Sequence, residues 1–355
     1  MPLVANSSLP TFERLRKEGE TILNPARASH QDIREIHIGL LNMMPDAALE
    51  ATERQFFRLV SESNQIAQFH MHLFTLPQLQ RGEKASAHIQ QHYETFESVR
   101  QEGLDALIIT GANVSHPNLA DEVFWEPLIE VIDWSYNHVA STLCSCLATH
   151  AVLQFRHQQK RIPLGFKRWG VFVHEVIDRS HPLVNGINTR FDVPHSRYNE
   201  VTRQQFEDAG LHVLAASPSA GVHLAVSEDR FRIVYFQGHP EYDINSLLKE
   251  YKREVLLFVS KQRDDYPPVP EDYFSRQINA ILLEYKAILL DSISNHTDTP
   301  EFPEELIRTL LHNTWHDTGE AVINNWIGHV YQITNNDRKK CFMEGIDPND
   351  PLGIL

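Results

Sequence analysis

The stretch Ser141-Thr-Leu-Cys-Ser-Cys-Leu-Ala-Thr-His-Ala-Val-Leu153 constrains the chain more than any other, because it places a thiol where a strand turns sharply into a helix. Val139 to Ser145 reads as a buried strand, and Thr149 to His157 continues as a helix beyond the turn. A helix N-terminus supplies partial positive charge and free backbone N–H groups, and both favour a thiolate. Cys146 is therefore the candidate nucleophile. The first amides of that helix, Leu147 foremost, together with those of Gly111 and Ala112 in a neighbouring turn, are candidates for holding an oxyanion. Taken alone, a cysteine at such a junction is more often a small buried apolar residue. Cys144, inside the strand, reads that way, and Cys341 near the tail reads as incidental.

A second stretch, Arg232-Ile-Val-Tyr-Phe-Gln-Gly-His-Pro-Glu-Tyr-Asp243, ends another apolar strand with His239 and Glu241. Pro240 fixes the local backbone so that the carboxylate can turn back towards the imidazole. A thiol, an imidazole to take its proton and a carboxylate to set the tautomer form a triad in the order Cys, His, Glu.

Along the chain, strand and helix alternate as far as Cys146. Ile36 to Asn42 is an apolar strand, Asp46 to Ser63 a helix, Ala67 to Phe74 a strand, Gln78 to Arg100 helical, Leu104 to Ala112 a strand and Trp125 to His138 a helix. This alternation predicts an α/β fold with a mainly parallel sheet and helices on both faces. After Cys146 short strands dominate, at 171–177, 190–193, 212–216, 222–226 and 231–236, followed by an amphipathic helix over 245–262. The expected organisation is an N-terminal arm over 1–33 with a short helix from Phe12 to Ile22, and a main α/β domain over 34–263. An inserted helical segment follows over 264–303, then a C-terminal helix and tail over 304–355 that pack on the main domain.

A net charge of −15 argues against a nucleic-acid-binding surface, which needs clustered cationic groups. No run of about 18 apolar residues suggests a membrane span, and the first residues lack the pattern of a signal peptide, so a cytoplasmic protein is expected. Three cysteines are an odd number, and the Cys144–Cys146 spacing suits neither a disulfide framework nor a zinc knuckle. The twenty histidines are scattered without a metal-binding motif, so no metal is expected.

Six collinear motifs then identify a resemblance: Leu41-Asn-Met-Met-Pro45, Ile109-Thr-Gly-Ala112, Ser141-Thr-Leu-Cys-Ser-Cys146, Pro194-His-Ser-Arg-Tyr198, Gly238-His-Pro-Glu-Tyr-Asp243 and Val330-Tyr-Gln-Ile-Thr334. Together they resemble the homoserine O-succinyltransferase and O-acetyltransferase family that uses a cysteine nucleophile. The resemblance implies the flavodoxin-like fold of class I glutamine amidotransferases and a ping-pong acyl transfer from an acyl-CoA, succinyl-CoA or acetyl-CoA, to the hydroxyl of L-homoserine in methionine biosynthesis. No permanently bound cofactor is implied, and a homodimer is. It also implies that Cys146 carries the thioester, His239 is the base and Glu241 its partner. Lys167 and Ser196 contact substrate, and Arg253 clamps the amino-acid carboxylate, a task suited to a guanidinium fork.

This chain departs from the family pattern beside the nucleophile. Leu147 stands where Trp is usual, and His150 where Gln is usual. The acyl-specificity position, Glu in acetyl-specific and Gly in succinyl-specific members, is Ser115. A small neutral residue leaves room for a succinyl carboxylate without repelling it, so succinyl is favoured, with His116 as a candidate donor to that carboxylate. The loop after Pro45 carries Asp46 in place of lysine. The alternatives are a serine O-acyltransferase of the same family, a glutaminase or hydrolase on the same fold, and a non-catalytic paralogue.

Overall fold

A computed structural model describes residues 3–20, 22–28, 34–63 and 67–355; of the expected N-terminal arm, residues 1, 2, 21 and 29–33 lie outside the described residues. The chain opens with β1 (Leu3–Val4), α1 (Pro10–Lys17), β2 (Ile22–Leu23) and α2 (Pro25–Ala28). Next come β3 (Glu35–Leu41), α3 (Leu49–Ser63), β4 (Gln68–Phe74), α4 (Glu83–His92), α5 (Phe96–Glu102), β5 (Ala106–Ile109), α6 (Trp125–His138), β6 (Ser141–Ser145) and α7 (Leu147–His157). The second half contains β7 (Ile162–Val176), β8 (Arg190–Glu200), α8 (Arg203–Asp208), β9 (His212–Ser217), β10 (Gly221–Val226), β11 (Ile233–Phe236), α9 (Ser246–Val259), α10 (Arg276–Asn295), α11 (Glu304–Arg308) and α12 (His316–Ile333).

Among the described residues, eleven strands join one sheet in the order β2-β1-β4-β3-β5-β6-β11-β10-β9-β7-β8. From β2 to β11 every pairing is parallel, and from β11 to β8 every pairing is antiparallel. The sheet is therefore mixed α/β and mostly parallel, as expected from the alternation, and its change of character falls after Cys146. Successive residues of a strand face opposite sides. On β5, Ala106 and Ile108 join Phe12, Phe56, Phe57 and Trp326 of α1, α3 and α12 in one core, while Leu107 and Ile109 join Leu128, Val131 and Ala151 of α6 and α7 in the other. Helices thus cover both faces. A third core gathers Leu247, Tyr251 and Val255 of α9 with Ile278, Leu282 and Leu289 of α10, and it reaches Trp169 and Val171 of β7. No described helix is long and apolar enough to cross a membrane.

Three expectations need correction. The helix expected over 12–22 ends at Lys17 because Gly19 takes a left-handed φ of 102°, and residues 22–23 form β2 instead. The helix expected over 78–100 is two, α4 and α5, because Thr95 accepts the Ser98 amide at 3.2 Å and restarts the helix. Finally, β7 and β8 run far beyond the expected 171–177 and 190–193. Polar residues such as Lys167, Arg168, Ser196 and Arg197 break the apolar pattern there, while backbone pairing of Arg168 with Arg197 and Trp169 with Ser196 holds the strands together.

Candidate active site

Cys146 sits between β6 and α7 with φ 51° and ψ −104°, a left-handed conformation that costs a non-glycine residue about 1–3 kcal/mol. Such a strained elbow lifts a nucleophile out of the sheet's edge. Two bonds to the end of β11 hold it: the Cys146 amide donates to Phe236 O at 2.8 Å, and Thr149 Oγ1 donates to the same carbonyl at 2.9 Å. Because β6 and β11 are parallel neighbours, the segment leaving β11 emerges beside the thiol. That segment carries His239, whose own amide donates to Pro194 O of β8 at 2.8 Å.

The His239 ring bonds to Glu241 Oε1 through Nδ1 at 2.8 Å, and the Cys146 sulfur acts on its charge. Burial disfavours the charged imidazole, but the Glu241 carboxylate and its hydrogen bond, together with the Cys146 sulfur, outweigh it, and the His239 pKa rises to about 10. His239 is therefore an imidazolium at neutral pH, next to the Cys146 sulfur. The structure brings Cys146, His239 and Glu241 together from stretches almost a hundred positions apart.

Where an oxyanion would form, Leu147 opens α7, and its N–H belongs to the first helical turn, whose amides lack intrahelical acceptors. Gly111 lies across from the elbow so closely that a Cβ added to it would sit 3.8 Å from Cys146 Cβ. Its turn is anchored by Thr110 Oγ1, which accepts the Met43 amide at 2.9 Å and donates to Gly111 O at 2.9 Å. Ala112 follows, half-buried.

Lys167 of β7 and Ser196 of β8 meet on a residue that inspection of the sequence did not single out. Glu250 of α9 accepts Lys167 Nζ at 2.9 Å and Ser196 Oγ at 2.7 Å on Oε2, and Tyr242 OH at 2.9 Å on Oε1. Burial acts to raise the Glu250 pKa, yet the charge of Lys167 and these three hydrogen bonds hold it below the usual carboxylate value. Lys167 Nζ also lies 4.1 Å from the centroid of the Trp169 ring. Tyr242 in turn stacks on His239, so the triad and the Lys167 cluster share one wall. The only signal for Glu250 in the sequence was its place on the same amphipathic helix as Arg253. Arg253 itself is 58% exposed and pairs with Glu254 at 3.6 Å, without a bond to the buried cluster.

The departures are absorbed without loss of the elbow. Leu147 is buried in the core beneath α6 and α7. His150 bonds through Nε2 to Gln237 Oε1 at 3.0 Å, and burial lowers its pKa to about 3, so it is a neutral strut between α7 and the end of β11. Ser115 lies in an exposed loop whose Ser115 and His116 amides donate to Glu122 Oε1 at 2.6 and 2.7 Å. The His116 ring also turns to Glu122, with Nδ1 at 3.6 Å. Asp46 accepts the Gly82 amide at 2.7 Å and pairs with Arg81.

Among the described residues, one group could offer three ligand atoms to a metal: His72, Glu94 and Glu102. Both ring nitrogens of His72 are already engaged, Nδ1 by Glu94 and Nε2 by His37, each at 2.8 Å. This group is remote in sequence from every residue of the elbow.

Residues 2–336 match the family model of homoserine O-succinyltransferase. A protein of that name from Nitrosococcus oceani is 66% identical over 354 residues, covering 100% of this chain and 99% of the relative. Another of the same name, from Allochromatium vinosum, is 63% identical with the same coverage. Among solved structures, a glutamine amidotransferase from Thermotoga maritima aligns with 84% of this chain and 98% of its own, at 10% identity and a TM-score of 0.45.

Proposed function

The chain belongs to the homoserine O-succinyltransferase family, and from that premise we propose that it transfers the succinyl group of succinyl-CoA to the side-chain hydroxyl of L-homoserine through a thioester on Cys146. The observation that carries this reading is the elbow conformation of Cys146 at the end of β6, with the end of parallel β11 leading to an imidazole oriented by Glu241 at 2.8 Å.

In the first half-reaction the Cys146 sulfur attacks the thioester carbonyl of the donor. The oxyanion is held by the amides of Leu147, Gly111 and Ala112, and preorganised donors aimed at developing charge make the largest contribution to such steps. The C–S bond to CoA breaks, His239 gives its proton to the departing thiolate, and the acyl group stays on Cys146. In the second half-reaction the neutral imidazole takes the proton of the homoserine hydroxyl as its oxygen attacks the acyl carbon. Collapse of the intermediate breaks the C–S bond to Cys146, releases the ester and restores the thiolate and imidazolium. Lys167 and Ser196 contact the acceptor, and Arg253 takes its carboxylate. Since Arg253 is exposed, that contact forms at the mouth of the site rather than in its buried part.

We place this reaction in methionine biosynthesis, in a cytoplasmic homodimer that needs no permanently bound cofactor. The test is a matrix of succinyl-CoA and acetyl-CoA against homoserine and serine, following CoA release, with glutamine as a control for ammonia release. Succinyl-CoA with homoserine is expected to be the strong cell. Incubation with succinyl-CoA alone should add one succinyl group at Cys146, detectable by peptide mass. A Cys146→Ala protein that transferred succinyl at the wild-type rate would end the proposal.

A further inference from the structure

The loop that carries Ser115 is held from two sides by opposite charges. On one side Glu122 accepts the amides of Ser115 and His116. On the other, Arg161, immediately before β7, donates from Nη2 to His116 O at 2.9 Å and to Pro117 O at 3.2 Å, and from Nε to Pro117 O at 3.3 Å. The same loop is tied to α7 by Gln154 Nε2, which donates to Asn118 Oδ1 at 3.0 Å, and the start of β7 is tied to α8 by Gln205 Nε2, which donates to Lys160 O at 2.7 Å. Arg161 is thus a half-buried cation on a fixed backbone, one loop away from the Gly111 turn.

Two features make it more than a loop brace. Among the described residues its guanidinium hydrogen-bonds to carbonyl oxygens alone and Nη1 has no hydrogen bond, so a planar donor edge stays available. The loop it braces follows the Gly111 turn that faces Cys146 and is tied by Gln154 to the helix that starts beside that cysteine, and burial lowers the Arg161 pKa while Glu122 and the Cys146 sulfur both act to raise it. The neighbouring His116 ring is turned to Glu122. In a chain of net charge −15, an anionic group entering between Glu122 and Cys146 needs a local cation to offset repulsion.

We infer that Arg161 is a specificity-determining residue of the acyl-donor step, recognising the free carboxylate at the far end of a dicarboxylic acyl chain as it is delivered to Cys146. This rests on the acyltransferase reading above. A guanidinium suits that carboxylate, and an uncharged chain of the same length has nothing for it to recognise.

The experiment compares succinyl-CoA with butyryl-CoA, which shares the CoA portion and lacks the distal carboxylate, in the full-length wild type, Arg161→Gln and Arg161→Lys proteins. CoA release with homoserine and the mass of the Cys146 peptide are both followed. Loss of a hydrogen bond to a charged group predicts that Arg161→Gln lowers kcat/KM for succinyl-CoA about tenfold to a hundredfold and leaves butyryl-CoA within about twofold. Arg161→Lys, which keeps the charge, should recover part of the loss. Equal losses with both donors would assign Arg161 to the loop or to the CoA portion and overturn the inference, as would an unchanged succinyl-CoA rate. A wild type that neither donor acylates at Cys146 would overturn the acyltransferase reading itself, and the inference with it.

Discussion

The ring of Tyr242 stacks on the imidazole of His239, with centroids 4.4 Å apart and planes 20° from parallel, while its hydroxyl donates to Glu250 Oε1 at 2.9 Å. One side chain therefore joins His239 to the carboxylate that gathers Lys167 and Ser196. Tyr242→Phe keeps the stack and removes one donor from a buried carboxylate. It is expected to cost about 1–3 kcal/mol in urea unfolding and to change the rate of Cys146 alkylation less than Tyr242→Ala does.

Glu250 and Lys167 form a largely buried ion pair. Removing either partner alone leaves a charge without compensation, so Glu250→Ala and Lys167→Ala are each expected to destabilise by about 3 kcal/mol. A paired replacement by apolar residues, Glu250→Leu with Lys167→Met, should recover much of that loss. If the double variant were as unstable as the sum of the singles, the pair would not be the source of the effect.

The pH dependence of His239 follows from its raised pKa. A folded-state value of about 10 against an ordinary 6.5 means that its contribution to stability is fully present below pH 6.5 and is lost as pH rises through about 10. Glu241→Gln removes the largest of the charges that raise it. The imidazole titration, followed by NMR at Cε1–H, should then fall below about 10, and the alkaline loss of stability should be smaller and complete at lower pH. An unchanged titration would locate the cause elsewhere.

Gly238 precedes His239 at a point of close approach rather than at a left-handed turn. A Cβ there would clash with Val193 Cγ1 and sit 2.9 Å from the His195 ring. Val193 and His195 are both buried in β8, so the clash cannot be relieved by a flexible chain end. Gly238→Ala is expected to cost about 1–3 kcal/mol in thermal unfolding and to lower CoA release by displacing His239.

Much of this site was legible in the chain itself. The apolar run into Ser145, followed by a helical pattern, announces the elbow because a buried parallel strand and an amphipathic helix have different periods, and the thiol falls where one changes to the other. His239 and Glu241 are two residues apart across a proline, so their mutual hydrogen bond is a local matter. The strand and helix alternation before Cys146 likewise settles the layered α/β architecture, since buried parallel strands need helical crossovers.

What the sequence could not determine lies in contacts between segments whose separation it does not report. Whether Cys146 meets His239 depends on β6 and β11 being parallel neighbours, and strand order is decided by how the whole sheet buries its two faces. Glu250 was invisible for the same reason: a glutamate on a helix usually faces solvent, and only the packing of α9 against β7 and β8 turns it to Lys167 and Ser196. The full extent of β7 and β8 was hidden because cross-strand backbone bonds, which are indifferent to side-chain polarity, extend them through polar residues. The sequence by itself determined the strand-to-helix turn at Cys146, the pairing of His239 with Glu241, and the layered fold, all set by interactions between near neighbours. Only the tertiary structure decided which of these groups share a site, because charge, burial and hydrogen bonding act over ångströms of space and not along the chain.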